Sequence, residues 1–283
     1  MLDRHLASLD RYVKLWPLLR GYRSLCRGAF ERKPLACPAA WKPAARPRVL
    51  VVGAYLSARD HTAAHLARQF ANSRWLDVTQ RWACIGPAVS DRALAAATAL
   101  HLPDGMPKFP LMNRLMQMGD TLGSFDYVVV SDDDVIVQAG FLDAYIALQQ
   151  AHDLALAQPA RTPWSCGSKA ITVQHLGQLG RYTRFVEIGP VFSIHRRLYD
   201  ALLPFDEGNA MGWGFDYRWP KLVEARGLRM GIVDHTPVDH SLRPLASAYS
   251  GEAAKQQMHQ YLAAHEHLSP HEAQTVIGAF RTG

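Results

Sequence analysis

Short continuous runs of apolar residues alternate along the chain with segments whose apolar positions recur every three or four residues, and this alternation predicts an α/β protein. Val49, Leu50, Val51 and Val52 end at Gly53, the pattern of a parallel strand buried on both faces. Trp75 to Ile85 predicts a second strand and Tyr127–Val130 a further buried one. Helices are expected over residues 60–71, 90–100, 108–119 and 141–152. Ser90 and Asp91 offer caps to the second of these, and Leu111, Leu115 and Met118 share one face of the third. Strands alternating with helices imply a mostly parallel central sheet with helices on both faces.

The ends of the chain have a different character. Leu2, Leu6, Leu9, Val13 and Trp16 trace the stripe of an amphipathic helix, with Arg4, Arg11 and Lys14 largely off it and Pro17 breaking it. Arg20, Arg23 and Arg27 follow. Such a basic helix can lie on an anionic membrane, or it can pack on the domain and leave its cations in water. Pro34, Pro38, Pro43 and Pro47 mark a linker. The expected organisation is a basic extension and linker over 1–47, a catalytic domain over 48–250 and a helical tail over 251–283, in which His259, His265, His267 and His271 carry no site.

Composition narrows the class without choosing a function. With 48% apolar and 20% charged residues among 283, the chain is no fibre, collagen or wholly disordered polymer. No run of about 18 apolar residues predicts a membrane span. The net charge of +6 favours anionic partners of any kind. Cys26, Cys37, Cys84 and Cys166 lack metal-ligand spacing and read as reduced thiols, and the N-terminus does not read as a signal peptide. The expected compartment is the cytoplasm, with possible work at the inner membrane face through residues 1–30.

Three segments carry candidate chemistry. Asp132, Asp133 and Asp134 follow the Tyr127–Val130 strand, and ligands of open α/β sheets bind beyond such strand ends. Adjacent carboxylates repel unless a cation lies among them, and hard oxygen donors suit Mg²⁺ or Mn²⁺ bridged to phosphates. A solvated acidic turn is the alternative. Gly212-Trp213-Gly214 offers close backbone approach and a flat stacking face, with Asp216 beside it as a candidate general base; the same residues also suit a packed turn. The Asp234–His240 segment places an imidazole where it can complete an oxygen-rich metal shell. His61 and His65 have the spacing of a zinc helix without its intervening glutamate, and read as surface or packing residues.

In this order the segments resemble a GT-A glycosyltransferase: Val49–Tyr55, the Asp132–Asp134 cluster, the Glu187–Ser193 stretch running into Arg197, Gly212–Asp216 and His240. The chain is also similar to a largely uncharacterised family of plants and bacteria with a W-D-D-D-L signature, through Tyr127–Val135, Gln158-Pro159-Ala160, Pro190–Ser193, Trp213–Asp216 and the spacing from Asp234 to His240. The likeness covers roughly residues 48–245. Ser131 stands where that family has tryptophan, and the plant members' membrane anchor is missing.

The resemblance implies a GT-A fold and a metal-dependent transfer from a nucleoside-diphosphate sugar, UDP-sugar in preference, to a glycan or glycolipid of polysaccharide biosynthesis. It implies Asp134 as direct ligand of Mn²⁺ or Mg²⁺, Asp132 in support of the metal or ribose, and His240 as the third contact. Asp133 either joins the nucleotide site or points back into the fold. Gly53, Ala54, Tyr55 and Lys108 would line the nucleotide, and Trp213, Gly214, Gly189 and Pro190 the acceptor. Asp216 as base implies inversion; Glu187 is the reserve base unless Arg181 or Arg184 neutralises it. Trp164, within residues 161–168, would sit on a mobile loop near the donor. A nucleotidyltransferase and a non-catalytic nucleotide-sugar-binding module remain as alternatives, while nothing but net charge supports nucleic acid.

Overall fold

The computed structural model describes residues 22–35, 37, 41, 43, 45–167, 169–244 and 250–281. The amphipathic helix expected over residues 2–16 lies outside the described residues. Residues 22–31 form helix α1. The chain continues through β1 (Arg48–Leu56), α2 (Ala63–Ala71), β2 (Asp77–Ile85), α3 (Arg92–Ala97), β3 (Thr98–Leu102), α4 (Lys108–Met116), β4 (Tyr127–Ser131) and α5 (Phe141–Ala151). Then follow β5 (Leu154–Arg161), β6 (Gly180–Thr183), β7 (Val191–His195), α6 (Tyr199–Leu202), α7 (Phe215–Glu224), β8 (Arg229–Val238), α8 (Gly251–Ala263), α9 (Pro270–Ala273) and β9 (Val276–Phe280).

Among the described residues the strands make one sheet in the order β3-β2-β1-β4-β7-β5-β8-β6-β9. Pairs β1–β2, β1–β4, β2–β3 and β5–β8 are parallel, whereas β7 runs antiparallel between β4 and β5, and β6 antiparallel to β8 and β9. The continuous apolar runs now have their reason. Val49, Val51, Tyr127 and Val129 pack into a core with Phe70 of α2 and Tyr145 of α5. Leu50, Val52, Val128 and Val130 pack on the opposite face with Phe109 of α4 and Trp219 of α7. Since successive side chains point to opposite faces, a strand covered on both must be apolar throughout.

Three expectations change. The helix expected over 90–100 is shorter: Asp91 caps α3, accepting from Leu94 N at 3.0 Å, and the chain turns into β3 at Thr98. Alanine and leucine suit either conformation there, and pairing with β2 decides it. Residues 251–283, expected as a helical tail, also supply β9, which pairs with β6 and completes the sheet. Gly53, expected at the nucleotide, is packed within the sheet: a Cβ there would lie 2.7 Å from Ser131 O and run into the Trp82 indole.

Helix α1 packs on the domain. Arg23 Nε donates to Trp164 O at 3.1 Å, Arg27 donates to Ser241 Oγ at 3.1 Å and lies 3.6 Å from Asp239, and Gln138 Nε2 donates to Lys33 O at 2.7 Å. Among the described residues no helix is long and apolar enough to cross a membrane, and the four cysteines are free thiols.

Candidate active site

The strand order places the end of β4 beside the end of β1, and the three aspartates leave β4 in three directions. Asp132 N donates to Pro190 O at 2.8 Å, while its carboxylate takes an ion pair from Lys108 Nζ at 2.6 Å. Lys108 opens α4 and also donates to Ile188 O at 3.0 Å. Asp133 turns back toward the fold: its Oδ2 accepts from Leu56 N at 2.9 Å, and its carbonyl accepts from Thr62 N and Oγ1 at 2.6 and 2.9 Å. Asp134 is buried, with Oδ1 3.0 Å from His240 Nε2 and Oδ2 accepting from Arg243 Nε at 3.1 Å. The other end of the Arg243 guanidinium pairs with Asp133.

His240 reaches Asp134 because the segment after β8 is zipped against the segment after β4. Ile136 N donates to Asp239 O at 2.8 Å, and Asp239 N donates back to Ile136 O at 3.0 Å. His240 N donates to Ser165 Oγ at 2.9 Å, and its carbonyl accepts from Cys166 N at 2.8 Å. Ser165 and Cys166, which make these bonds, belong to the loop expected to be mobile, and Trp164 meets Phe30 of α1 edge-on at 6.2 Å. Of that loop's described residues, Arg161 lines the cavity.

The second carboxylate centre stands on α7. Gly212 and Gly214 have φ of 72° and 98°, and Gly214 is the N-cap of α7. A Cβ on Gly212 would collide with the Phe109 ring, and one on Gly214 would lie 3.1 Å from Met258 Cγ. The glycines therefore make a packed turn, while Trp213 is left half-buried on the cavity wall. Asp216 lies in the first turn of α7, and its Oδ1 is buried without a hydrogen-bond partner.

Glu187 is ion-paired, but to Arg161; Arg181 binds Asp234 and Arg184 binds Glu224. The sequence pattern left Arg161 out because its nearness to Glu187 depends on the crossing of β5 with the turn before β7.

A cavity of about 680 Å³ joins both centres. Ala54, Lys108, Asp132, Asp133, Asp134, Glu187, Gly189, Trp213, Gly214, Asp216 and His240 all line it, as expected from the sequence. Gly53, Tyr55 and Pro190 do not. Tyr55 is buried in the core with its hydroxyl 2.9 Å from Thr98 Oγ1, and Pro190 is buried and holds Asp132 through its carbonyl. Arg243 and Lys169 line the cavity and were missed. The demand for a cation among three adjacent aspartates was the signal for Arg243, but nothing in the sequence pattern said which cation. His65 contacts Val137 O and Glu31 and stays structural.

Electrostatics separate the two centres. Burial pushes Asp134 up, but His240 and Arg243 outweigh it and hold the carboxylate well below its usual range. Burial and the Asp134 charge push Asp133 up, opposed by Arg243 and the Leu56 N–H. Burial raises Asp216 to about 6, against the opposing pull of Lys169 and of N–H groups at the start of α7.

Asp132, Asp134 and His240 offer ligand atoms all within 4.8 Å of one another, the one such triad among the described residues. Two neighbouring ligands of an octahedral ion at about 2.1 Å lie roughly 3 Å apart. The 3.0 Å between Asp134 Oδ1 and His240 Nε2 meets that requirement, and two carboxylates with one imidazole suit a hard divalent cation.

Fold and site thus define an α/β protein whose strand-end cavity carries a donor set suited to a divalent cation. No protein-family model and no curated protein matches the sequence. The fold is similar to that of the mannosyltransferase PcManGT from Pyrobaculum calidifontis, solved in complex with GDP-Man and Mn²⁺; identity is 13%, coverage is 83% of this chain and 69% of that one, and the TM-score is 0.45. It is also similar to GalNAc-T7 solved with UDP, GalNAc and Mn²⁺, at 10% identity, 72% and 44% coverage and a TM-score of 0.49.

Proposed function

We propose that the chain is a divalent-metal-dependent glycosyltransferase of the GT-A type that moves a sugar from a nucleoside diphosphate to a glycan or glycolipid hydroxyl. One observation carries this reading: a single cavity holds the Asp132–Asp134–His240 donor set and, separately, the half-buried Asp216 carboxylate, raised to about 6. Asp134 and His240 would hold the cation directly and Asp132 would complete or support its shell. What the cation supplies when bound is Lewis-acid neutralisation of a leaving diphosphate. Lys108 and Arg243 add fixed positive charge to the same wall.

Asp216 acts as general base. With a pKa near 6 it is ionised at neutral pH yet basic enough to take the proton of an acceptor hydroxyl, and the residue lines the cavity. Direct attack by that hydroxyl inverts the anomeric centre. Glu187 is the weaker candidate because Arg161 already neutralises it. The catalytic unit begins near residue 48 and runs through β9; residues 1–30 would give any contact with the inner membrane face. UDP is the favoured donor nucleotide.

Calorimetric titration of UDP and of GDP, each with Mn²⁺ and with chelator, into wild type and Asp134→Ala tests the reading. The expected result is metal-dependent binding of one nucleotide, lost in the variant. Absence of binding by either to the folded wild type overturns it.

A further inference from the structure

Part of the cavity wall carries no charged side chain. Ala210, Met211, Trp213, Ala253 and Met258 line it there, from the loop before α7 and helix α8. These segments are locked together. Phe109 N donates to Ala210 O at 3.1 Å, Asn209 Nδ2 donates to Trp213 O at 2.8 Å, and Gly214 seats against Met258 and Leu262. The wall is therefore a built surface, and Met211 and Trp213 lead directly along the chain into Asp216. Its polar side chains are Ser250 and Gln257, whereas the cavity's ion pairs lie with Lys108, Arg161 and Arg243.

A free glycan carries hydroxyls around every ring, and an extended one would leave several of them unpaired against such a wall. An alkyl chain would not. Methionine thioethers adapt to flexible apolar ligands better than branched side chains do. We infer that the acceptor is an amphiphile, with a hydroxylated head presented to Asp216 and an alkyl chain lying along Met211, Trp213, Ala253 and Met258. This rests on the transferase reading and names the acceptor class of that same site.

Methyl-¹³C-methionine NMR of the protein loaded with Mg²⁺ and its nucleotide tests this. The probes are n-octyl β-glucoside below its critical micelle concentration and methyl β-glucoside. The octyl compound is expected to shift the Met211 and Met258 methyl signals and to bind at least tenfold more tightly than the methyl one. Ala253→Asp introduces a charge at an exposed position of the first turn of α8, where an acid suits the helix, and Met211→Gln places a neutral polar group in the loop before α7; both should remove the octyl preference while nucleotide calorimetry stays as in wild type. Equal response to the two glucosides, with nucleotide binding intact, overturns the amphiphile inference alone. A p-nitrophenyl glucoside that binds more tightly than the octyl compound overturns the alkyl assignment. Loss of nucleotide binding in wild type overturns the transferase reading and the inference with it.

Discussion

Asp134 and Asp216 line the same cavity, and burial pushes both carboxylates upward, but their neighbours differ. Asp134 touches an imidazole and a guanidinium at about hydrogen-bond distance, and stays ionised. Asp216 has an unpartnered oxygen, and the nearby Lys169 ammonium is spent on the Tyr217 hydroxyl at 2.8 Å. One residue type thus acquires two electrostatic states, a carboxylate held ionised and one whose pKa is raised to about 6. The difference is made by which cations reach each carboxylate, since burial acts on both alike.

The widest gap between the two centres should appear in turnover. Asp216→Asn is expected to lower the initial transfer rate by roughly 10²–10⁴-fold, the range of general-base catalysis, while metal-dependent nucleotide binding stays within twofold. A variant that keeps its rate moves the base role to Glu187. Asp134→Asn should do the reverse in binding, weakening metal-dependent nucleotide affinity about 100-fold or more by calorimetry. If the two variants weaken nucleotide equally, the division of labour between the centres is wrong.

Arg243→Ala asks what the counter-cation contributes before any metal arrives. It leaves Asp133 and Asp134 facing each other, and thermal or urea unfolding in chelator should show a loss of about 3 kcal/mol. Added Mn²⁺ should recover part of that loss, because a ligand that binds only the folded state stabilises it. A loss independent of Mn²⁺ would mean that Arg243 is a structural strut only.

The smallest effect is the pH dependence of stability at Asp216. Its folded pKa of about 6 lies above the ordinary 3.8, so the folded chain binds more protons than the unfolded one between those values. Stability contributed by this group is present at low pH and is lost as pH rises through the folded pKa. Asp216→Asn should therefore be more stable than wild type above pH 6 by at most about 3 kcal/mol, with the gap closing toward pH 4. In activity the same proton acts with opposite sign: the wild-type rate should fall as pH drops through about 6. A flat acid limb, or a variant no more stable at pH 7 than at pH 4, would show that Asp216 is not buried as a charge.

Much of the site was legible because its parts are local. Asp132–Asp134 directly follow a strand whose apolar run announces its place in the sheet centre. Met211–Asp216 is one continuous segment leading into α7, and Lys108 stands at the head of an expected helix. Gly53 and Tyr55 misled, because a residue near a strand end can face the core as readily as the ligand, and the alternation that decides which is hidden where both faces are apolar. Arg243, Lys169 and Arg161 gave no local signal, since a cation's role depends on where its long side chain ends.

By itself the sequence determined most strands and helices of the β1-to-α5 half, β3 excepted, and the acidic cluster at a strand end, all of which follow from periodicity and side-chain chemistry within a few residues. Tertiary structure decided the rest. It alone brought His240 to 3.0 Å from an aspartate 106 residues earlier, inserted β7 antiparallel between two strands, drew β9 into the sheet and set which carboxylate kept its cations. Long-range pairings and burial are sums over distant neighbours, and no window of sequence contains those neighbours.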